Sequence, residues 1–325
     1  VEGDAVPPAL VLVEFLTVIG GDDEGRPAQA IHPLQRGFQL LQVLVQPADH
    51  GVIELNDLLD FRRGQAPLAV LDRPRFCREI LCELAYPDYA ANWETAVADA
   101  SVPNGTRLAL AAPDPRNVTL EPESCAECDD AKFQRVKPLL WLWYSFDRLP
   151  IGGQNVDLGV RLRRLLAPHI FKRCGERCGE RCGERFKAFQ HVEFSCGYNI
   201  ECGDDVVVHR HVLLDDRGGI VMGHKVSISD YANIYSHTHS IVEQADVTCL
   251  PTILEDGVRI TYHATVLAGV RVATQGMVGA VAVATKDVRP YHVNVGIPAK
   301  SVRVKPNAPP EDWSAARTAN TPGRE

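Results

Sequence analysis

The sequence has no long hydrophobic run and no excess of basic residues. Its longest apolar stretch, residues 9–20, is shorter than a membrane span and contains Glu14, so we expect no transmembrane segment. The stretch also lacks the basic start and the cleavage site of a signal peptide. A formal net charge of −8 argues against general nucleic-acid binding. We therefore expect a cytoplasmic protein whose ten cysteines stay mostly reduced.

The chain has enough length and apolar content for a full hydrophobic core. Its 325 residues can hold one large or two modest domains, and 45% of them are hydrophobic. The clearest pattern lies between residues 196 and 284, where small or aliphatic residues recur every six positions. Neither a helix nor a simple strand repeats with this period, whereas a solenoid of short strands, three to a turn, does.

Two sets of residues carry this period of six. The second set stands four positions after the first, and both sets are predicted to point into the solenoid. The first set is Cys202, Val208, Leu214, Met222, Ile228, Ile234, Leu254, Ile260, Val266, Val272, Val278 and Ala284, and the second is Val206, Val212, Val226, Ala232, Val258, Ala264, Val270, Gly276 and Ala282.

The hexads, and above all the sequence from 253 to 304 with its TKDV and GIPAK elements, resemble the hexapeptide-repeat acyltransferases. The resemblance is to the maltose and galactoside O-acetyltransferase branch and covers roughly residues 160 to 305. It implies a left-handed parallel β-helix, which is an exception to the right-handed crossover rule. It also implies a homotrimer with active sites between neighbouring prisms, acetyl-CoA as acyl donor and no metal.

Five segments are predicted along the chain. Residues 1–85 show no sustained period and are either a small accessory domain or a stretch without a selected fold, with the second favoured. Residues 86–138 are predicted to be an irregular linker with a short helix near 92–100. Residues 139–187 are predicted to be helical and to cap the solenoid, residues 188–305 to form the β-helix, and residues 306–325 to be a disordered tail.

Two cysteine patterns are judged structural rather than chemical. Cys125 and Cys128 form a CxxC without a second pair at zinc-ribbon spacing, so an acidic surface loop is favoured over a metal or redox site. The tetrapeptide CGER occurs three times between residues 174 and 185. A tandem expansion at the helix-to-solenoid junction is favoured over a thiolate site there, because loops tolerate extra residues.

Two interruptions of the repeat, at residues 215–219 and 239–253, are the predicted places for function. Acyl transfer to a hydroxyl needs a base, and histidine suits this because its pKa lies near working pH. The resemblance selects His239 over His237, because His239 stands ten residues after Ser229, the offset of the catalytic histidine in this branch. Glu243 is the predicted carboxylate partner, with Asp246 and Glu255 as alternatives.

The resemblance also implies a coenzyme A site along the groove between prisms. In the family, backbone groups of the coils bind the pantetheine, and basic residues near the last coil meet the phosphates. The matching positions in this sequence are Ala280, Thr285, Lys286, Lys300 and Arg303.

The predicted acceptor is a small molecule with a hydroxyl, such as a sugar or polysaccharide precursor. The acidic pair of the sugar acetyltransferases is matched by Asp215 and Asp216, of which Asp216 is the predicted substrate-binding residue. Val208 stands near the position of the acceptor-site asparagine, which places a sugar acceptor in doubt. Arg259, Thr261 and Tyr262 also depart from the VWIG coil of the branch, so the adenine environment is expected to differ.

Two other functions remain open at this point. The γ-class carbonic anhydrases share the coil and hold zinc with three histidines from neighbouring subunits, although the closing elements match the acyltransferases better. A non-catalytic solenoid scaffold is the third possibility. The histidines that keep the zinc alternative open are His209, His211, His224, His237 and His239.

Overall fold

The computed structural model describes residues 72–175, 185–243 and 245–310. Residues 1–71, most of the CGER repeat and the tail from 311 lie outside the described residues, so the predictions for them stay predictions. Helices come first within the described ranges and short strands follow. The α-helices are α1 (Arg73–Ala85), α2 (Trp93–Ala98), α3 (Asn104–Ala111), α4 (Asp130–Arg148), α5 (Pro150–Gln154) and α6 (Val156–Ile170), and 3₁₀ helices span Pro87–Tyr89, Pro115–Asn117 and Glu121–Ser124.

The strands are two to five residues long and follow one another around the solenoid. They are β1 (Arg173–Cys174), β2 (Lys187–Ala188), β3 (Glu193–Phe194), β4 (Ile200–Cys202), β5 (Val207–Val208), β6 (Leu213–Asp215), β7 (Ile220–Met222), β8 (Ser227–Ile228), β9 (Asn233–Tyr235), β10 (His237–His239), β11 (Val247–Cys249), β12 (Thr252–Leu254), β13 (Arg259–Ile260), β14 (Thr265–Val266), β15 (Arg271–Val272), β16 (Met277–Val278), β17 (Val283–Ala284), β18 (His292–Val295) and β19 (Lys300–Val304).

Apart from β10 and β11 of the arm and the antiparallel β19, every third strand pairs in parallel with its counterpart one coil away, which confirms the predicted left-handed parallel β-helix. The three faces are the sheets β1-β4-β7-β12-β15, β2-β5-β8-β13-β16-β18-β19 and β3-β6-β9-β14-β17. The register stacks the hexad residues on each other, as Leu214 pairs with Ile234 and Ile234 with Val266. Each is at most 1% exposed, and burying such a side chain stabilises the fold by about 1.5–3 kcal/mol.

The helices pack against the first coil of the solenoid. The indole N–H of Trp143 donates to the carbonyl of Val192 at 3.0 Å, and the ring of Trp143 packs edge-on against Phe194 with centroids 4.9 Å apart. One carboxylate oxygen of Asp147 accepts the backbone N–H of His191 at 2.7 Å. Apolar residues of α1, α4 and α6 therefore belong to the same buried cluster as the coils.

The predicted boundaries of the helical part are wrong in three places. Residues 86–138 are not irregular, because they contain α2, α3, the three 3₁₀ helices and the first nine residues of α4. The boundary at residue 85 separates α1 from a core to which it belongs, since Phe76, Ile80 and Leu81 are buried there. The solenoid begins at β1, which pairs with β4, and not at residue 188.

Local capping, rather than a sustained apolar period, marks the start of α1 and α4. The side chains of Asp72 and Asp129 accept backbone N–H groups at the start of α1 and α4, at 3.2 and 3.1 Å. Helix α2 has only six residues and is too short to show a period. Pro168 neither ends nor divides α6, which continues to Ile170.

Within the described ranges, no helix combines the length and the apolar character that crossing a bilayer requires.

Candidate active site

The site is built where both interruptions of the repeat meet. The first is the turn after β6, and the second is a hairpin in which β10 and β11 pair antiparallel and leave the coil as an arm. The hydroxyl of Ser236 joins them, because it donates to the carbonyl of Asp215 at 2.5 Å and accepts the N–H of Gly218 at 2.8 Å. A Cβ on Gly218 would lie 2.2 Å from the carbonyl oxygen of Ser236, so glycine is required at this close approach.

His237 and Asp215 form the central contact of the site. The Nδ1 of His237 is hydrogen-bonded to the Oδ2 of Asp215, whose side chain is 3% exposed. The other oxygen, Oδ1, accepts the hydroxyl of Ser195 at 2.7 Å and lies 3.4 Å from the Nε of Arg217. With Nδ1–H donated to the carboxylate, Nε2 of the imidazole carries the lone pair that can accept a proton.

His239 and Glu243 both lie on the arm, and both are exposed. The ring of His239 stands edge-on to that of His237, with centroids 5.2 Å apart. The buried carboxylate therefore reaches His237, two residues before the histidine that the resemblance selects. Of the alternative partners, Asp246 is also exposed on the arm, and Glu255 binds Thr274 on another face of the solenoid.

Asp216 is fully buried beneath the 196–199 turn. Its oxygens accept the backbone N–H groups of Cys196 at 2.6 Å and Asn199 at 3.1 Å, and it has no exposed surface. Burial raises the pKa of this carboxyl to about 6. These contacts argue against the predicted role in substrate binding and give Asp216 the role of holding the 196–199 turn.

All five predicted coenzyme residues are exposed at the last coils. Ala280 lies between β16 and β17, and Thr285 and Lys286 follow β17, whereas Lys300 and Arg303 belong to β19. The structure thus places them on two neighbouring faces. Among the described residues, no carboxylate forms an ion pair with Lys286, Lys300 or Arg303. The positive charges of these three side chains are therefore available to an anion.

Arg259 extends this basic region, although the sequence offered it only as a departure from the family. It shares one row of the sheet with Arg303, because Arg259 pairs with Met277, Met277 with Val293, and Val293 with Arg303. Burial, and after it the charge of Arg259, lowers the pKa of Lys305. The row therefore gathers positive charge at the C-terminal end of this sheet.

Of the histidines of the zinc alternative, His237 and His239 lie side by side, whereas His211 and His224 lie elsewhere on the solenoid. His211 stacks between His191 and Tyr231 at a corner of the solenoid, with centroid distances of 4.6 and 4.7 Å. The Nδ1 of His224 lies 3.4 Å from a carboxylate oxygen of Asp204. Within the described ranges, no three His, Cys, Asp or Glu side chains are arranged as metal ligands, and this includes Cys125 and Cys128.

Sequence alone offered a weak signal for the His237–Asp215 contact. Asp215 stands at the first interruption and His237 at the second, but 22 residues separate them. Proximity along the chain favoured Glu243 as the partner. Only the pairing of β6 with β9 brings Asp215 beneath the start of the arm. In this pairing Asp215 lies opposite Tyr235, which ends β9 two residues before His237.

Comparisons with known proteins agree with the resemblance seen in the sequence. No profile of a known protein family matches the chain. A Schizosaccharomyces pombe protein named only provisionally as an acetyltransferase is 30% identical over 114 residues, which are 34% of this chain and 55% of that protein. A tetrahydropyridine-dicarboxylate N-acetyltransferase of Ligilactobacillus salivarius is 49% identical over 53 residues, which are 16% of this chain and 23% of that enzyme. The chain thus spans about half or less of the length of these curated relatives.

Solved structures with a similar fold include further acetyltransferases. A hexapeptide-repeat acetyltransferase of Vibrio cholerae, crystallised with acetyl coenzyme A, is 22% identical with a TM-score of 0.44 and matches 54% of this chain and 87% of its own. A maltose O-acetyltransferase of Clostridium difficile is 20% identical with a TM-score of 0.46 and matches 58% and 99%. A galactoside acetyltransferase in complex with coenzyme A is 20% identical with a TM-score of 0.43 and matches 55% and 84%. The chain is similar to hexapeptide-repeat acetyltransferases, as the sequence predicts.

Proposed function

We propose that this protein transfers an acetyl group from acetyl-CoA to a hydroxyl of a small molecule, with a sugar or polysaccharide precursor as the expected class. The observation that carries the proposal is the imidazole of His237, held by the buried carboxylate of Asp215 at the root of the arm. A fixed imidazole with a free Nε2 can take the proton of an attacking hydroxyl.

The geometry favours His237 as that base. Asp215 sets its tautomer and stabilises the imidazolium that forms when the proton is taken, which is the role of the carboxylate in an acid–base pair. His239 is the second candidate, because the family register selects it and its ring borders that of His237. Glu243, the partner predicted for His239, lies with it on the exposed arm.

The donor is proposed to lie along the last coils. Lys286, Lys300 and Arg303 would meet the phosphates of coenzyme A, and exposed backbone near Ala280 and Thr285 would bind the pantetheine. Strand β9, at the root of the arm, is two coils from β17. At about 4.8 Å per coil this is about 10 Å, a span that an extended pantetheine can cover.

A trimer is also proposed, because a coenzyme groove in this family needs two prisms side by side. The cytoplasmic location inferred from the sequence stays a prediction.

The function is tested by a screen of hydroxyl acceptors with acetyl-CoA, in which release of free thiol is followed over time. Sugars, sugar alcohols and serine form the hydroxyl set, and matched amines report N-acetylation. We expect acceptor-dependent thiol release that His237→Ala abolishes. Two outcomes would favour the scaffold function instead. One is thiol release that no acceptor stimulates, and the other is a rate of thiol release that is the same in His237→Ala and His239→Ala as in the unaltered protein.

A further inference from the structure

Arg217 lies in the first interruption of the repeat, directly after the two aspartates, and its guanidinium contacts Asp215. Its Nε lies 3.4 Å from the Oδ1 of Asp215, and its side chain is 15% exposed. The Nε is buried and makes no hydrogen bond within the part of the chain that the structure describes. The contact is therefore an ion pair rather than an aligned hydrogen bond. It brings a positive charge next to the carboxylate that holds His237.

The other end of the guanidinium contacts the helical part of the protein. The Nη2 of Arg217 donates to the Oε1 of Glu121 at 3.2 Å, in the 3₁₀ helix that precedes α4. The side chain of Glu121 is mostly exposed, so water screens its attraction to the guanidinium. The carboxylate of Asp215 is buried and is screened much less. The charge of Arg217 therefore acts mainly on Asp215.

The backbone around Arg217 is held to its surroundings on both sides. The carbonyl of Arg217 accepts the Nδ2–H of Asn199 at 3.3 Å. The N–H of the next residue, Gly218, donates to the hydroxyl of Ser236 at 2.8 Å. The guanidinium thus extends from a turn that is fixed to the root of the arm, and its position relative to Asp215 is set by the fold.

The charge of Arg217 also acts on the strand opposite His237. Burial raises the pKa of the Cys249 thiol, and among the charges that act on this thiol Arg217 lowers the pKa. Cys249 is the Cα partner of His237 in the pairing of β10 with β11. Arg217 therefore belongs to the electrostatic environment of the imidazole. The titratable and charged groups around the root of the arm include Asp215, Arg217, Glu127, His239 and Cys249.

We propose that Arg217 is a positioning residue for the acyl transfer, which acts through Asp215 by keeping this buried carboxylate ionised and directed at His237. The inference rests on the proposed function of the site. A positive charge this close favours the ionised form of a carboxylate, which is the stronger acceptor for the Nδ1–H of the imidazole. The same charge favours the neutral imidazole, which is the form that takes a proton from a hydroxyl.

The test compares two variants of the full chain. Arg217→Met removes the charge and keeps most of the side-chain volume, whereas Arg217→Lys keeps the charge. For each variant, kcat and KM for acetyl-CoA are measured across pH with an acceptor found in the screen. Arg217→Met should lower kcat by about 10–10²-fold with little change in KM, because the imidazole is less well oriented.

The pH profile separates an electrostatic role from a merely structural one. Without the positive charge, Asp215 and His237 both take up protons at higher pH, so activity is lost earlier as the pH falls. In Arg217→Met the acid limb of the kcat profile should therefore move upward by about one pH unit. In Arg217→Lys the limb should stay close to its position in the unaltered protein.

Arg210→Met is the matched control, because the Nε of Arg210 lies 4.0 Å from the Oδ1 of Asp230 in an exposed ion pair at another corner of the solenoid. It should change neither kcat nor the acid limb. Glu121→Gln removes the exposed partner of Arg217 and should leave the limb in place. Circular dichroism establishes that each variant is folded, and Arg217→Gln replaces Arg217→Met if the latter is not.

The outcomes separate this inference from the function on which it rests. A change in kcat of less than about threefold in Arg217→Met overturns the positioning role and leaves the proposed function standing. A fall in kcat without movement of the acid limb, an equal movement in Arg217→Lys, or unfolding of both uncharged variants assigns Arg217 a structural role and also overturns the inference. Absence of transfer by the unaltered protein with every acceptor overturns both proposals.

Discussion

Asp215 and His237 are 22 residues apart in the chain and are hydrogen-bonded in the folded protein, because the turn after β6 lies beneath the root of the arm. The carboxylate is almost completely buried, and the side chain of the histidine is 13% exposed. Asp215 is thus fixed in the core, whereas His237 faces the place where the two interruptions of the solenoid meet.

The first prediction tests this pair. His237→Ala should lower kcat by about 10²–10⁴-fold, since a positioned proton acceptor is lost. Asp215→Asn should lower kcat by about 10²-fold or more with little change in KM for acetyl-CoA, because an amide neither fixes the tautomer nor stabilises the imidazolium. Steady-state kinetics with an acceptor found in the screen measure both changes.

A second carboxylate–imidazole pair provides the control for this experiment. Asp204 lies 3.4 Å from His224 at another corner of the solenoid, and Asp204→Asn should leave kcat unchanged. If His239→Ala is inactive while His237→Ala is active, the family register is right and the geometric assignment to His237 is wrong.

The second prediction concerns the exposed cations of β19. Lys300→Ala combined with Arg303→Ala should raise KM for acetyl-CoA and leave kcat close to its original value, because phosphate contacts made equally in the ground and transition states are lost. Lys187→Ala is the control, since Lys187 lies exposed in β2 at the opposite end of the same sheet. A fall in kcat at unchanged KM would place these residues outside the donor site.

The third prediction is the oligomeric state. Ile241 and Val242 at the tip of the arm are 102% and 90% exposed, and a neighbouring prism could cover them. Light scattering at micromolar concentration should give three times the chain mass of 35.7 kDa. Ile241→Asp with Val242→Asp should weaken the assembly, whereas Lys225→Asp, on a turn of the coil, should not. A monomer with full activity would contradict the trimer.

The fourth prediction follows from Asp216, whose pKa is raised from 3.8 to about 6 by burial. The folded protein binds more protons than the unfolded chain between these two values, so this group's contribution to stability is present below pH 3.8 and is lost as pH rises through 6. The loss amounts to about 2 kcal/mol of unfolding free energy between pH 4 and pH 7.

Denaturant unfolding at several pH values measures this effect. The free energy of unfolding of the unaltered protein minus that of Asp216→Asn should fall as pH rises from 4 to 7, because the amide does not titrate. Asp246→Asn, which changes an exposed carboxylate on the arm, should show no such trend. A difference for Asp216→Asn that stays constant over this range would contradict the raised pKa.

The β-helix could be predicted from sequence because each coil repeats the same local requirement. Val278 follows Ile260 by three hexads and stacks on it, and this stacking of like on like follows from the period alone. The helical cover was only partly predictable. Its position before the first coil followed from composition, but α2 and α3 are too short to show an apolar period, and α1 was recognisable only through its contacts with α4.

The sequence by itself determined the solenoid, the two interruptions and the types of residue that could carry chemistry there, because these depend on spacing and on side-chain pKa. Only the tertiary structure decided which residues touch. In the folded protein Asp215 is hydrogen-bonded to His237, and Asp216 is buried and accepts backbone N–H groups. Cys249 pairs with His237 across the arm. These contacts depend on the number of residues in each turn and on the pairing register between coils and across the arm, and a shift of one residue would turn each side chain to the other face.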